Sequence, residues 1–148
     1  MYACARRPNH TLVAGGSFSA VPDPSSPYWH GKIAALVQSL TQGDSSSNQG
    51  GVSGVYLDQI AAEPAYTCYD NDHPGHASGG GAYWTSGFNQ LLDRAREGSG
   101  SNTTMFLTEG QAEPYMQHVQ GYLVINGFSV PPSPLTSASG LLFKLVSG

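Results

Sequence analysis

Gly54-Val-Tyr-Leu-Asp-Gln-Ile60 is a short run of β-forming residues with an acid near its end, and Thr103-Thr-Met-Phe-Leu-Thr-Glu109 repeats that design further along. Both read as buried parallel strands whose last residues emerge at a working face. Between them the period changes from two to nearly four. Trp84, Phe88, Leu91, Leu92 and Ala95 share one side of a helix expected from about Ala82 to Glu97. Ahead of the first run, Trp29, Ile33, Leu36, Val37 and Leu40 recur at spacings of three and four. Ser25 or Ser26 can cap that helix, and Pro27 suits its first turn. Thr11-Leu-Val-Ala before Gly15-Gly16 predicts an opening strand. A shorter helix is expected from about Glu113 to Val119, then a strand at Tyr122-Leu-Val-Ile125. The tail, residues 131–148, fits neither pattern and is poorly assignable.

The order strand, helix, strand, helix, strand, helix, strand is that of βαβ units on a parallel sheet. Two architectures have that order, a (β/α)8 barrel and an open doubly wound sheet. Gly79-Gly-Gly81 follows a long loop, lacks GxGxxG spacing and has no Walker lysine, so the dinucleotide signature of the open sheet is missing. The chain has 148 residues, too few for a complete barrel of roughly 250. The expected fold is α/β, a partial (β/α)8 TIM barrel comprising about half of the barrel, with 1–148 as one fragmentary domain.

Charged residues make up 11% of the sequence against a typical value of about 25%, so polar neutral residues, glycine and aromatic edges must cover the surface. Two Trp, eight Tyr and five Phe argue against intrinsic disorder. Six basic against ten acidic residues give a charge of -4, which excludes a basic face for nucleic acid. No window approaches the roughly 18 apolar residues of a membrane span. The start shows no basic segment followed by an apolar stretch, so no signal peptide is visible and localisation stays open. Cys4 and Cys68 lack CxxC spacing and read as free structural thiols, with a disulfide the alternative.

In a parallel α/β protein the C-terminal ends of all strands lie on one face, so Asp58 and Glu109 are expected to meet there. Neighbouring strands lie about 4.8 Å apart, and a carboxyl separation of about 5 to 5.5 Å is what a retaining glycosidase requires. One acid must be ionised and the other must keep its proton, and unequal burial separates two such groups. Each acid could instead simply cap the following loop. Gln59 can orient Asp58, and Tyr56, two residues before it, shares its side of the strand. The loop Glu63–Gly81 carries Cys68, Asp70, Asp72, His73 and His76. His73 and His76 could hydrogen-bond sugar hydroxyls, hold zinc or calcium with Asp70 and Asp72, or belong to a solvated loop tied by Asx turns. Trp84 could stack on a sugar face or pack in the core.

The segments Gly54-Val-Tyr-Leu-Asp-Gln-Ile, Cys68-Tyr-Asp, His73-Pro-Gly-His, Gly79-Gly-Gly-Ala-Tyr-Trp and Leu107-Thr-Glu-Gly-Gln-Ala-Glu-Pro-Tyr, with Asp23-Pro-Ser-Ser-Pro-Tyr-Trp29 upstream, resemble a glycosidase-like family of TIM-barrel proteins. Its members are usually described only as a domain of unknown function. The resemblance spans about residues 20 to 125, with a more distant likeness to retaining α-glycosidase barrels. It implies Asp58 as nucleophile and Glu109 as general acid/base, with Glu113 the rival acid. The expected substrate is a carbohydrate, with Gln59, His73, His76, Trp84 and Glu113 as the candidate contacts. The expected activity is O-glycoside hydrolysis by two carboxylates, without metal or cofactor, in a full-length protein of which the fragment alone is inactive. Two other readings stay open: a non-catalytic carbohydrate-binding or structural module on a degenerate barrel, and a metal-dependent hydrolase.

Overall fold

The computed structural model describes residues 4–15, 20–43, 50–73, 75–110 and 112–123. The expected tail and the end of the last expected strand lie outside them. The chain divides into two compact units, residues 1–52 with 64–102, and residues 53–63 with 103–148.

The second of these units holds three parallel strands in the order β1 (Gly54–Leu57), β2 (Met105–Glu109) and β3 (Gly121–Leu123). Val55 pairs with Phe106, and Leu57 with Thr108, which in turn pairs with Tyr122. All five are buried, so they form one packed face of the sheet. Alternation turns the intervening residues the other way. Met105, Tyr56 and Leu123 lie on that opposite face and are 50%, 44% and 53% exposed. A parallel sheet is ordinarily covered on both sides, whereas these apolar residues are exposed.

The helix expected at Glu113–Val119 is shorter than its pattern suggests. It is a 3-10 turn, Glu113–Tyr115, because the chain must rejoin the sheet within a few residues: the Gln120 N–H donates to Phe106 O at 2.8 Å, and the Phe106 N–H donates to Gln120 Oε1 at 2.9 Å.

In the other unit, α1 (Pro27–Gln42) and α2 (Tyr83–Ser99) pack on each other. Pro27 occupies the first turn of α1 as expected, and Ser26 is its N-cap residue without a side-chain cap bond. The buried stripe of α1 is His30 and Val37; Leu36 and Leu40 are exposed. Close approach explains the difference. A Cβ on Gly98 would stand 2.5 Å from the Ala34 carbonyl oxygen, so the α1–α2 contact runs along the side bearing Ala34, not the leucines.

The opening strand is absent among the described residues. Three short extended segments meet there in a ring of backbone bonds, Ala5 N–H to Val21 O, Val21 N–H to Val13 O and Val13 N–H to Ala5 O, at 2.8–2.9 Å. Gly15 and Pro22 cut the apolar runs too short for a ladder, yet Ala5, Val13 and Val21 are buried with Cys68, Tyr83 and Trp84 in one core cluster. No helix among the described residues is long and apolar enough to cross a membrane.

Candidate functional site

β1 and β2 are in parallel register with Leu57 opposite Thr108, so the next pair in that register is Asp58 and Glu109. At Asp58 the strand gives way to a turn that runs through Ala62. Gln59 takes a left-handed φ of 66°, a conformation that costs a side-chain-bearing residue about 1 kcal/mol or more. It swings the amide back onto the neighbouring strand, and Gln59 Nε2 donates to Glu109 Oε2 at 2.5 Å. Gly110 follows with φ 74°, and a Cβ there would lie 3.0 Å from the Ala62 backbone. Only glycine lets the turn after β1 close against the end of β2.

The two acids differ in environment. Asp58 is exposed, and the Tyr56 hydroxyl donates to its Oδ1 at 3.0 Å. Glu109 is 9% exposed, with Asp58 among the groups that raise its pKa. Burial holds the Glu109 carboxyl above the ordinary glutamate range, the contact and charge of Asp58 push it further, Gln59 opposes them, and Glu63 adds a small upward push. Tyr56 is 44% exposed, and partial desolvation, the hydrogen bond to Asp58 and the charges of Asp58 and Glu109 push its pKa up to about 12. The arrangement has the means for proton transfer: one acid that favours its protonated form beside one in a wetter, hydrogen-bonded setting. Glu113 stands apart, exposed on the first residue of the 3-10 turn.

The remaining candidates belong to the helical unit. His73 and His76 converge on Asp23, with His73 Nδ1 2.7 Å and His76 Nε2 2.9 Å from Asp23 Oδ2. Their side chains are only 1% and 2% exposed, so their rings point inward, not toward a ligand in solvent. Asp70 pairs with Arg6 Nε at 2.9 Å and accepts the Asp72 N–H, which together with His73 hold its carboxyl low despite partial burial; Asp72 itself is exposed. Trp84 is 5% exposed and packed edge-on by Tyr66 and Phe88, a core role that leaves it no open face for a sugar. Tyr83 is also buried; its hydroxyl donates to Tyr66 O, and burial raises its pKa.

Sequence reasoning missed Asp23 and Cys68 as members of this cluster. Cys68 Sγ lies 3.3 Å from His73 Nδ1, and Asp23 Oδ1 accepts both the backbone N–H and the hydroxyl of Ser25 at 2.8 and 2.7 Å. Asp23-Pro24-Ser25 carries the sequence signal of such a turn, but nothing in the sequence joins it to a loop so far downstream.

A family described as "Domain of unknown function (DUF6259)" matches residues 7–129. Two proteins named "Putative glycoside hydrolase" are similar to the chain. One, from Monosiga brevicollis, is 35% identical over 116 residues, covering 76% of this chain and 9% of that protein. The other, from Bacteroides thetaiotaomicron, is 36% identical over 74 residues, covering 50% of this chain and 11% of that protein. The chain thus spans about a tenth of the length of these relatives. No solved structure matches it.

Proposed function

The chain belongs to the DUF6259 family, and from that premise we propose that it forms part of a glycoside hydrolase-like (β/α)8 barrel that cleaves O-glycosidic bonds with two carboxylates. The observation that carries the reading is the placement of Asp58 and Glu109 at the same ends of adjacent parallel strands, with Asp58 raising the Glu109 pKa. Two further features support it. The names of the relatives point to sugar hydrolysis, and the exposed apolar sheet face bearing Met105, Tyr56 and Leu123 is what the interior of a barrel lacks until its other strands are in place.

In this reading Asp58 is the nucleophile. The Tyr56 hydroxyl bond steadies its ionised oxygen, and exposure leaves it open to a substrate. Glu109 is the acid, because its surroundings favour retention of the proton. As Asp58 attacks the anomeric carbon, Glu109 gives its proton to the departing glycosidic oxygen, leaving a glycosyl ester on Asp58. Glu109, now ionised, takes a proton from water as that water attacks the same carbon and frees Asp58. Tyr56 and Gln59 each hold one of the two acids in place.

The test is turnover of a panel of aryl glycosides by the full-length protein and its Asp58→Asn variant. The variant is expected to lose at least about 100-fold while keeping its circular dichroism spectrum. Undiminished hydrolysis removes Asp58 from the mechanism. Sugar binding without turnover in the parent protein replaces catalysis with a binding role.

A further inference from the structure

Asp23, Cys68, His73 and His76 lie in one unit of the chain, and one ligand atom from each falls within 4.8 Å of the other three. Asp23, Cys68 and His73 are buried, and His76 turns its ring inward. These four are the donor types of a closed four-coordinate zinc site: a thiolate, two imidazole nitrogens and a carboxylate oxygen.

The protons decide what such a cluster does. His76 Nδ1 is 2.7 Å from Ala77 O, and a carbonyl only accepts, so Nδ1 carries the hydrogen. In the neutral ring Nε2 is then bare, and it points at Asp23 Oδ2, a second acceptor, at 2.9 Å. His73 has the same difficulty. Its Nδ1 faces Asp23 Oδ2 at 2.7 Å and Cys68 Sγ at 3.3 Å, while its Nε2 faces Asp70 Oδ2 at 3.4 Å, buried and without a hydrogen bond. Whichever nitrogen of neutral His73 holds the proton, the other leaves a lone pair against a carboxylate. Neutral rings therefore place acceptors in contact, and something positive must stand between them.

A divalent ion relieves these contacts. Its two charges are matched by the Cys68 thiolate and the Asp23 carboxylate, both histidines stay neutral, and Arg6 and Asp70 neutralise each other.

The outer contacts suit a metal as well. Ala77 O fixes the His76 tautomer, Asp70 stands behind His73 Nε2, Ser25 holds the second oxygen of Asp23, and the Arg6 backbone N–H donates to Cys68 Sγ at 3.4 Å. Such partners orient ligands and raise their basicity. Tetrahedral bonds of about 2.0 to 2.3 Å separate ligand atoms by roughly 3.3 to 3.6 Å, and the contacts in this cluster bracket that range.

We propose that Asp23 Oδ2, Cys68 Sγ, His73 Nδ1 and His76 Nε2 bind one structural zinc ion, which joins the segment before α1 to the loop before α2. The soft thiolate favours zinc over calcium or magnesium. This site is independent of the Asp58–Glu109 pair and of any activity assigned to it.

The experiment measures metal in the untagged full-length protein. It is stripped with a chelator and titrated with zinc, then with cobalt(II), in parallel with Cys68→Ser and His76→Ala. One tightly held zinc per chain is expected, with cobalt(II) giving a thiolate charge-transfer band in the near ultraviolet. Cys68→Ser should lose that band, and both variants should lose stoichiometric zinc. Because either variant could fail to fold, the parent protein decides alone: no zinc uptake and no thiolate–cobalt band would overturn the site. Cobalt bound with tetrahedral absorption but without the thiolate band would remove Cys68 and overturn the four-ligand assignment.

Discussion

Asp58 and Glu109 occupy matching positions in register but not matching surroundings, and the roles proposed for them rest on that inequality. Glu109 is buried with its pKa raised, so in the folded protein its ionised form is disfavoured. The stability that goes with its protonated form is complete below the unfolded-state pKa near 4.5 and is lost as pH rises through the higher folded-state value. Glu109→Gln keeps an acceptor for Gln59 and removes the disfavoured charge. It should therefore match the parent protein in melting temperature at acid pH and exceed it increasingly above about pH 4.5. Thermal unfolding of both proteins across a pH series checks this, and a constant difference at every pH would contradict the described burial. Tyr56→Phe keeps the ring and loses the bond to Asp58. Turnover should fall without that bond while the circular dichroism spectrum is kept, and unchanged turnover would remove Tyr56 from the orientation of Asp58. At this scale the placement of the two acids at neighbouring strand ends was legible, since the β-forming runs end on them. It was not legible for Asp23 and Cys68, whose meeting depends on chain closure over a separation no spacing rule covers.

At the scale of elements, both long helices and the first two strands follow from periodicity and punctuation. The buried side of α2 contains Trp84, Leu91, Leu92 and Ala95, as its pattern requires, and the helix ends at Gly100 in a left-handed cap. α1 is less faithful to its pattern, with Leu36 and Leu40 exposed and His30 buried, where His30 Nε2 donates to Pro24 O at 2.7 Å. Hydrophobic spacing identifies a helix, but the tightest approach chooses its packed face. Two glycines test that statement. Gly31 in α1 has open space around its missing Cβ, so Gly31→Ala should gain about 0.5 to 1 kcal/mol from helix propensity. At Gly98 a Cβ would press on the Ala34 backbone, so Gly98→Ala should lose about 1 to 3 kcal/mol despite the same propensity gain. Denaturant unfolding of the two variants reads both signs, and a stabilising Gly98→Ala would mean that α1 and α2 pack less closely than described. The 3-10 turn at Glu113–Tyr115 and the bonded ring of Ala5, Val13 and Val21 escaped sequence reading for a shared reason. Both are set by where the chain must return, which local propensity does not encode.

On the scale of the whole molecule, among the described residues the three-stranded sheet has β1 and β3 at its edges, and one of its faces exposes Met105, Tyr56 and Leu123. Unpaired edges beside such a face favour association, so the isolated 148-residue chain should form oligomers or aggregates in sedimentation experiments, and the full-length protein should not. A stable monomer of the isolated chain would count against the need for further strands. The barrel reading and the assignment of roles to Asp58 and Glu109 meet in one experiment. It compares Asp58→Asn and Glu109→Gln in the full-length protein on two glycosides of one sugar, one with an acidic phenol as leaving group and one with an alkyl alcohol. A phenol that leaves without a proton makes the acid dispensable, while the nucleophile is needed for both. Asp58→Asn is expected to abolish turnover of both substrates, and Glu109→Gln to abolish cleavage of the alkyl glycoside while the aryl glycoside still releases a burst of phenol, followed by slowed hydrolysis of the glycosyl ester. Equal, undiminished turnover of both substrates by either variant would contradict the two-carboxylate account.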